Sequence, residues 1–184
     1  MASLASILGL SRSRHERAGF QLYGRAVAAA REPYFYTHLG VPDTLDGRFD
    51  LVGLHAFLMI RRLGKEPGGS ALAQAIFDAM FADMDINLRE LGVGDMGIAR
   101  RVRAMWEGLH GRAVIYAQAM DAGDATVLEA ALTRNVWRGE ALPAGAGAAL
   151  VRLAFAEESH LMSQPLSALL RGEADFMPVE QACR

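Results

Sequence analysis

LYGRAVAAAREPYFYTHLGVPDTLDGRFDLVGLHAFLMIRRL, residues Leu22–Leu63, is the stretch whose reading decides the fold. Two helical patterns flank a loop punctuated by Pro33, Gly40, Pro42 and Gly47. On the first side Phe20, Tyr23 and Val27 recur at helical spacing, so a helix is expected over 18–32. It must stop before Pro33, whose ring disfavours helical dihedrals at the preceding residue. Pro33 then suits the first turn of a short helix through Tyr34–His38, closed by Gly40. Val41–Gly47 (VPDTLDG) reads as a turn, because Pro42 fixes one dihedral and Asp43 bonds nearby amides.

The second side, from about Asp46 to Leu63, carries two apolar stripes: Phe49, Val52, Ala56, Met59/Ile60 and Leu63, and Leu51, Leu54 and Leu58. A helix apolar on most sides is buried on most sides, which makes this the expected central helix. Arg48, His55 and Arg62 form its narrow polar seam. The rings Tyr34, Phe35 and Tyr36 are a separate matter, since each gains roughly 1.5–3 kcal/mol on burial. Pinned between Pro33 and Pro42, they are expected to face a binding groove, while Phe49, Val52, Ala56 and Ile60 go to the core.

Further along, Gly64–Gly69 (GKEPGG) is a linker. Phe77, Phe81, Met84, Leu88 and Leu91 predict an amphipathic helix over 70–91, with Asp85 and Arg89 in the favourable i,i+4 order. Gly92–Gly94 ends it, and Asp95 is the expected N-cap of a helix over 96–122 with Ile98, Val102, Met105, Leu109, Ala113, Tyr116 and Met120 on one face. Asp124 is expected to cap a shorter helix through Trp137, and Ala148–Arg171 to form a last one kinked at Pro165. No segment of useful length alternates apolar and polar residues, so the fold is all-α, a single compact domain of about six to seven helices. Its expected extent is 18–172, between an N-terminal tail or short amphipathic anchor over 1–17 and a polar C-terminal tail over 173–184.

A chain of 184 residues with net charge −2 fits one domain and carries no field that would draw it to nucleic acid. The single cysteine, Cys183, allows neither an intramolecular disulfide nor a thiolate metal site. No uncharged apolar run approaches the ~18–20 residues of a spanning helix. Leu4, Ile7 and Leu8 share a helical face ahead of the basic Ser11–Arg17, which fits either a short interfacial helix or a solvated tail.

Catalytic patterns are thin. There is no glycine-rich phosphate loop and no nucleophile elbow. Glu157-Glu158-Ser159-His160 holds one Glu-x-x-His, where di-iron bundles need two copies and two further glutamates. Asp78, Asp83 and Asp85 resemble the metal-binding aspartates of all-α isoprenoid enzymes, but they lie on one helix only. His55, with Met59 one turn on, is a weak candidate for ligating haem iron. No catalytic residue, cofactor or metal is assigned.

Three blocks carry a resemblance: Leu22–Leu63; FDAMFADMDINLRELGVGD, Phe77–Asp95; and LHGRAVIYAQAM, Leu109–Met120. Together they make the chain similar to the ubiquinol–cytochrome c chaperone family, which includes the mitochondrial cytochrome b-binding assembly factors. Where the family has Phe-Tyr-Gly-Arg, this chain has Leu109-His110-Gly111-Arg112. The resemblance implies a non-catalytic assembly chaperone, a bacterial member, that binds apo or nascent cytochrome b and promotes assembly of the bc1 complex. It also implies the ribosome and a small helical protein as candidate partners, and a cytoplasmic location with peripheral contact at the inner membrane. Client-binding candidates on this reading are Tyr34, Phe35, Tyr36, Arg48, Asp85, Arg89, Glu90, Asp95 and Arg112, around an adaptable groove of methionines and aromatics. The alternative readings are an all-α enzyme acting on an isoprenoid or lipid-like substrate, and a haem-handling protein.

Overall fold

Thr44 starts the helix around which the chain is built. Its hydroxyl accepts the Gly47 amide at 3.1 Å, and Asp46 places negative charge in a first turn whose free amides are positive. The computed structural model describes the backbone of residues 4–90 and 92–184, with side chains from residue 14 on, 91 and 96 excepted. The order is α1 (Leu4–Ala30), α2 (Pro33–Thr37), α3 (Leu45–Gly64), α4 (Ser70–Glu90), α5 (Asp95–Ala122), α6 (Ala125–Val136), α7 (Ala146–Ser163), α8 (Leu166–Leu169) and α9 (Val179–Ala182). No strand occurs among the described residues, and the fold is all-α.

The doubly apolar α3 lies between two cores. On one side Leu51, Leu54, Phe57 and Leu58 join Phe35 of α2, Tyr116 of α5, Leu128 and Leu132 of α6, and Leu150 and Leu153 of α7. On the other, Ala56, Met59 and Leu63 join Leu22 and Tyr23 of α1 with Leu72, Ile76 and Met80 of α4. α1 and α4 approach at glycine distance: a Cβ on Gly19 would sit 2.6 Å from the Ala75 Cβ, closer than real side chains come. Any larger residue at 19 must push the two helices apart.

Both ends of α3 are tied by charge. At its start Asp50 binds Arg112 of α5 and Arg138 just past α6, and Asp46 also reaches Arg138. At its end Arg61 binds Asp121 at 2.6 Å and Glu158 at 2.8 Å, and Lys65 joins the same Glu158. The buried Arg62 donates to the carbonyls of Leu161 and Gln164 at the C-terminal end of α7, where the helix dipole favours a cation. The expected seam of Arg48, His55 and Arg62 therefore passes from an exposed ion pair at Arg48 into the core.

Four expectations change. α1 runs unbroken from Leu4 through the anticipated boundary at 17/18; the side chains of Leu4, Ile7 and Leu8 lie outside the described residues, as does Leu91. Gly94, not Asp95, is the N-cap of α5, and Asp95 takes the first turn. Pro165 ends α7 rather than kinking it, because it drives Gln164 to extended dihedrals and then opens α8. The 173–184 segment is not a loose polar tail: Ala174, Val179, Ala182 and Cys183 are all buried. Of the helix-70–91 stripe, Met84 and Leu88 are buried, and Phe77 and Phe81 are half-buried with centroids 4.6 Å apart. No described helix is long and apolar enough to cross a membrane.

Candidate client-binding surface

The aromatic triplet on α2 divides. Phe35 packs against α3, edge-on to His55, and is fully buried. It is core, not groove, which corrects its assignment to a binding face. Tyr34 stays half-buried, stacked on His38 at 4.5 Å, and lines an open cleft of about 500 Å³ with Arg25, Glu32 and the 174–180 segment. Tyr36 donates from its hydroxyl to the Ala30 carbonyl at 3.1 Å and borders a second depression with Arg31, Asp43 and Arg48. There Arg48 meets Asp43 at 2.6 Å, which holds the Asp43 carboxyl below its ordinary range.

The charged candidates fall into two sets. At the tip of the α4–α5 hairpin Arg89 bridges Asp85 at 2.6 Å and Asp95 at 2.7 Å, and Glu90 is exposed beside them. Arg112 is elsewhere, against the buried Asp50 and with its guanidinium 6.0 Å from the Phe49 ring centre. Burial raises the Asp50 carboxyl above its ordinary pKa, and the two arginines offset part of that. No hydrogen bond or ion pair among the described residues links the Tyr36–Arg48 depression, the Arg89 cluster and the Asp50 node. The Arg112 role is bracing: it joins α5 to α3.

The hairpin offers part of the exposed apolar surface, with more scattered over Leu45, Val127, Leu142 and Met162. Ile86 on α4, with Trp106 and Val114 on α5, are exposed, and the indole of Trp106 stacks on His110 at 5.4 Å. The methionines are scattered: Met59, Met80 and Met84 are core, Met105 packs half-buried against them with Leu109, and Met177 lines the cleft beside Tyr34. Phe20, 68% exposed, is a separate apolar point on α1.

The chemical rivals lose their geometry. Asp78 accepts from Gln74, Asp83 accepts from the Tyr23 hydroxyl at 2.7 Å, and Asp85 pairs with Arg89. Each acid thus has its own partner. His55 sits deep in the core, its Nδ1 2.8 Å from the Leu51 carbonyl and its ring met edgewise by Phe35 and Phe176. Burial pushes its pKa down to about 4, and its Nε2 has no partner. A haem iron reaches that nitrogen only if the packing around it opens.

Several functional positions escaped the sequence reading. Asp50 sits four residues before Leu54 and eight before Leu58, so an acid in an apolar stripe was the available signal for a buried basic partner. Glu157 is buried, accepts the Met177 amide at 2.8 Å through Oε1, and leaves Oε2 without a partner. Burial raises its pKa to about 7. Gln164 and Arg138 had no sequence signal; Arg138 holds a left-handed backbone, φ 51°, beside Gly139.

Comparison with known proteins gives this geometry a context. The family model for the ubiquinol-cytochrome C chaperone matches residues 37–176. The crystal structure of the Cbp3 homolog from Brucella abortus superposes with a TM-score of 0.83 at 35% sequence identity, covering 97% of this chain and 99% of that one. No curated protein matches. With the family match running from α3 through α8, the Asp50 node included, the chain belongs to the ubiquinol-cytochrome C chaperone family.

Proposed function

We propose that this chaperone binds cytochrome b, as a nascent or unassembled chain, and promotes its assembly into the bc1 complex without catalysing a reaction. The observation that carries this is the family match over 37–176. In support, the α4–α5 hairpin carries exposed Ile86 next to Asp85 in the Asp85–Arg89–Asp95 cluster, and exposed Trp106 and Val114 farther along α5, so apolar surface and charge share one hairpin. An unassembled membrane protein exposes the same combination in its apolar helices and charged connecting loops. On this proposal the protein works in the cytoplasm at the membrane face, with the ribosome and a small helical protein as further candidate partners.

Affinity capture at native expression, with mass spectrometry of the bound chains, tests it. Recovery of cytochrome b and loss of assembled bc1 complex in a deletion strain are the expected results. A deletion strain with normal bc1 complex and no captured cytochrome b refutes it.

A further inference from the structure

Residues 173–178 link α8 to α9 outside any helix, and the way they are held is unusual for a core segment. α7 grips them and the following turn by the main chain. The Gln164 side-chain amide donates to the Asp175 carbonyl at 2.7 Å and accepts the Asp175 amide at 3.0 Å. Glu157, on α7 seven residues before that C-cap glutamine, accepts the Met177 amide at 2.8 Å. Arg152 donates to the Cys183 carbonyl at 2.7 Å. A bidentate amide at one residue and an acceptor two residues on is the spacing of a strand read from one side. These contacts say nothing about which side chains the strand carries.

Selectivity comes from the opposite face. Ala174 is buried and Phe176 half-buried against both cores, and Phe176 packs edgewise on His55 at 5.1 Å. Two buried polar atoms at this seat lack partners, the Glu157 Oε2 and the His55 Nε2. Unpartnered polar atoms make the seat costly to keep dry. Along its outer side the strand borders the open cleft walled by Arg25, Ala28, Ala29 and Tyr34, so a second chain has a way in.

We propose that this face of α7 is a binding groove for extended polypeptide, with residues 173–178 as its resident, displaceable occupant. Its ligand is an extended segment carrying one large apolar side chain, aromatic or methionine, for the Phe176 seat. The natural ligand rests on the chaperone reading, as a loop of the unassembled client; the groove itself does not.

Native-state hydrogen exchange on the full chain comes first. The Asp175 and Met177 amides are expected to exchange about a hundredfold faster than those of Leu54 and Leu58 in α3. Equal rates make the segment part of the core and overturn the proposal. The second measurement titrates a fluorescent synthetic peptide of residues 171–182 into the wild-type chain and into Phe176→Ala, whose own occupant is weakened. The variant is expected to bind about tenfold more tightly, and adding Gln164→Ala to lose that gain. Folded Phe176→Ala that binds no better than wild type also overturns it. If the variant does not fold, the exchange rates of the unaltered chain decide. Failure of cytochrome b capture leaves these outcomes untouched, and their failure leaves the capture result standing.

Discussion

Asp50 and Arg89 are each the hub of three charges, and they do opposite work. The Asp50 side chain is 2% exposed and gathers Arg112 and Arg138 from two other parts of the chain, so α3, α5 and the end of α6 share one carboxylate. The Arg89 side chain is 55% exposed and gathers Asp85 and Asp95 across the turn of its own hairpin. Composition alone does not distinguish them. Burial does: inside, an unpaired charge is intolerable, while outside, water stands in for a lost partner at little cost.

The hardest way to break the contrast is Asp50→Ala, which strands the Arg112 guanidinium at the bundle's interior edge and leaves Arg138 with Asp46 alone. It should cost about 3–5 kcal/mol, read as a large fall in the urea midpoint. Glu157 sharpens the comparison as a third case, a buried acid with no cation. Its pKa is about 7 in the folded chain against an ordinary 4.5, so the folded state prefers it protonated. The resulting stability is present below the ordinary value and lost as pH rises through the folded one. Glu157→Gln should therefore gain on wild type by up to about 3 kcal/mol between pH 4.5 and pH 8, followed by urea midpoints at both ends. His55 acts in the other direction, because its depressed pKa of about 4 withdraws stability as pH falls from the ordinary 6.5. Wild type should accordingly show a flatter pH profile than the Glu157→Gln variant, which keeps only the acid-side loss.

Smaller again is the effect at the hairpin. Arg89→Ala is expected to leave the urea midpoint unchanged within error. On the proposed function, Arg89→Glu, which puts three acids together, should reduce capture of cytochrome b without changing thermal stability. A melting shift as large as that of Asp50→Ala would erase the distinction between the two hubs.

Much of this architecture was legible because it rests on period. The double stripe of α3 announced a helix buried on both sides, and Asp124 caps α6 as its position implied, accepting the Val127 amide at 3.0 Å. What was not legible lacks period or concerns pairing. Val179, Ala182 and Cys183 enter the core on a single turn, too short to show a stripe among polar neighbours. Phe35 follows the same logic, since one ring in a five-residue helix carries no repeat to say which way it faces. Periodicity also places residues on faces without naming their partners, so Arg112 was singled out while Asp50 was not. The candidate surface was consequently read as one set of residues, where the structure divides it into a brace, a depression and a hairpin tip.

The position of α3 between two cores has a consequence for synthesis. Most of its α1 and α4 side has been made by about residue 90, with Leu169 and Ala174 still to come. Its other side waits for α6 and α7: the Trp137 indole bonds to the Leu39 carbonyl 98 residues earlier, and Arg62 waits 99 residues for the Leu161 carbonyl. During that interval Leu51, Leu54 and Leu58 have only provisional cover, at the moment a growing chain is most open to aggregation. On the proposed function, a protein that shelters another chain through an incomplete state thus passes through one of its own on the way out of the ribosome.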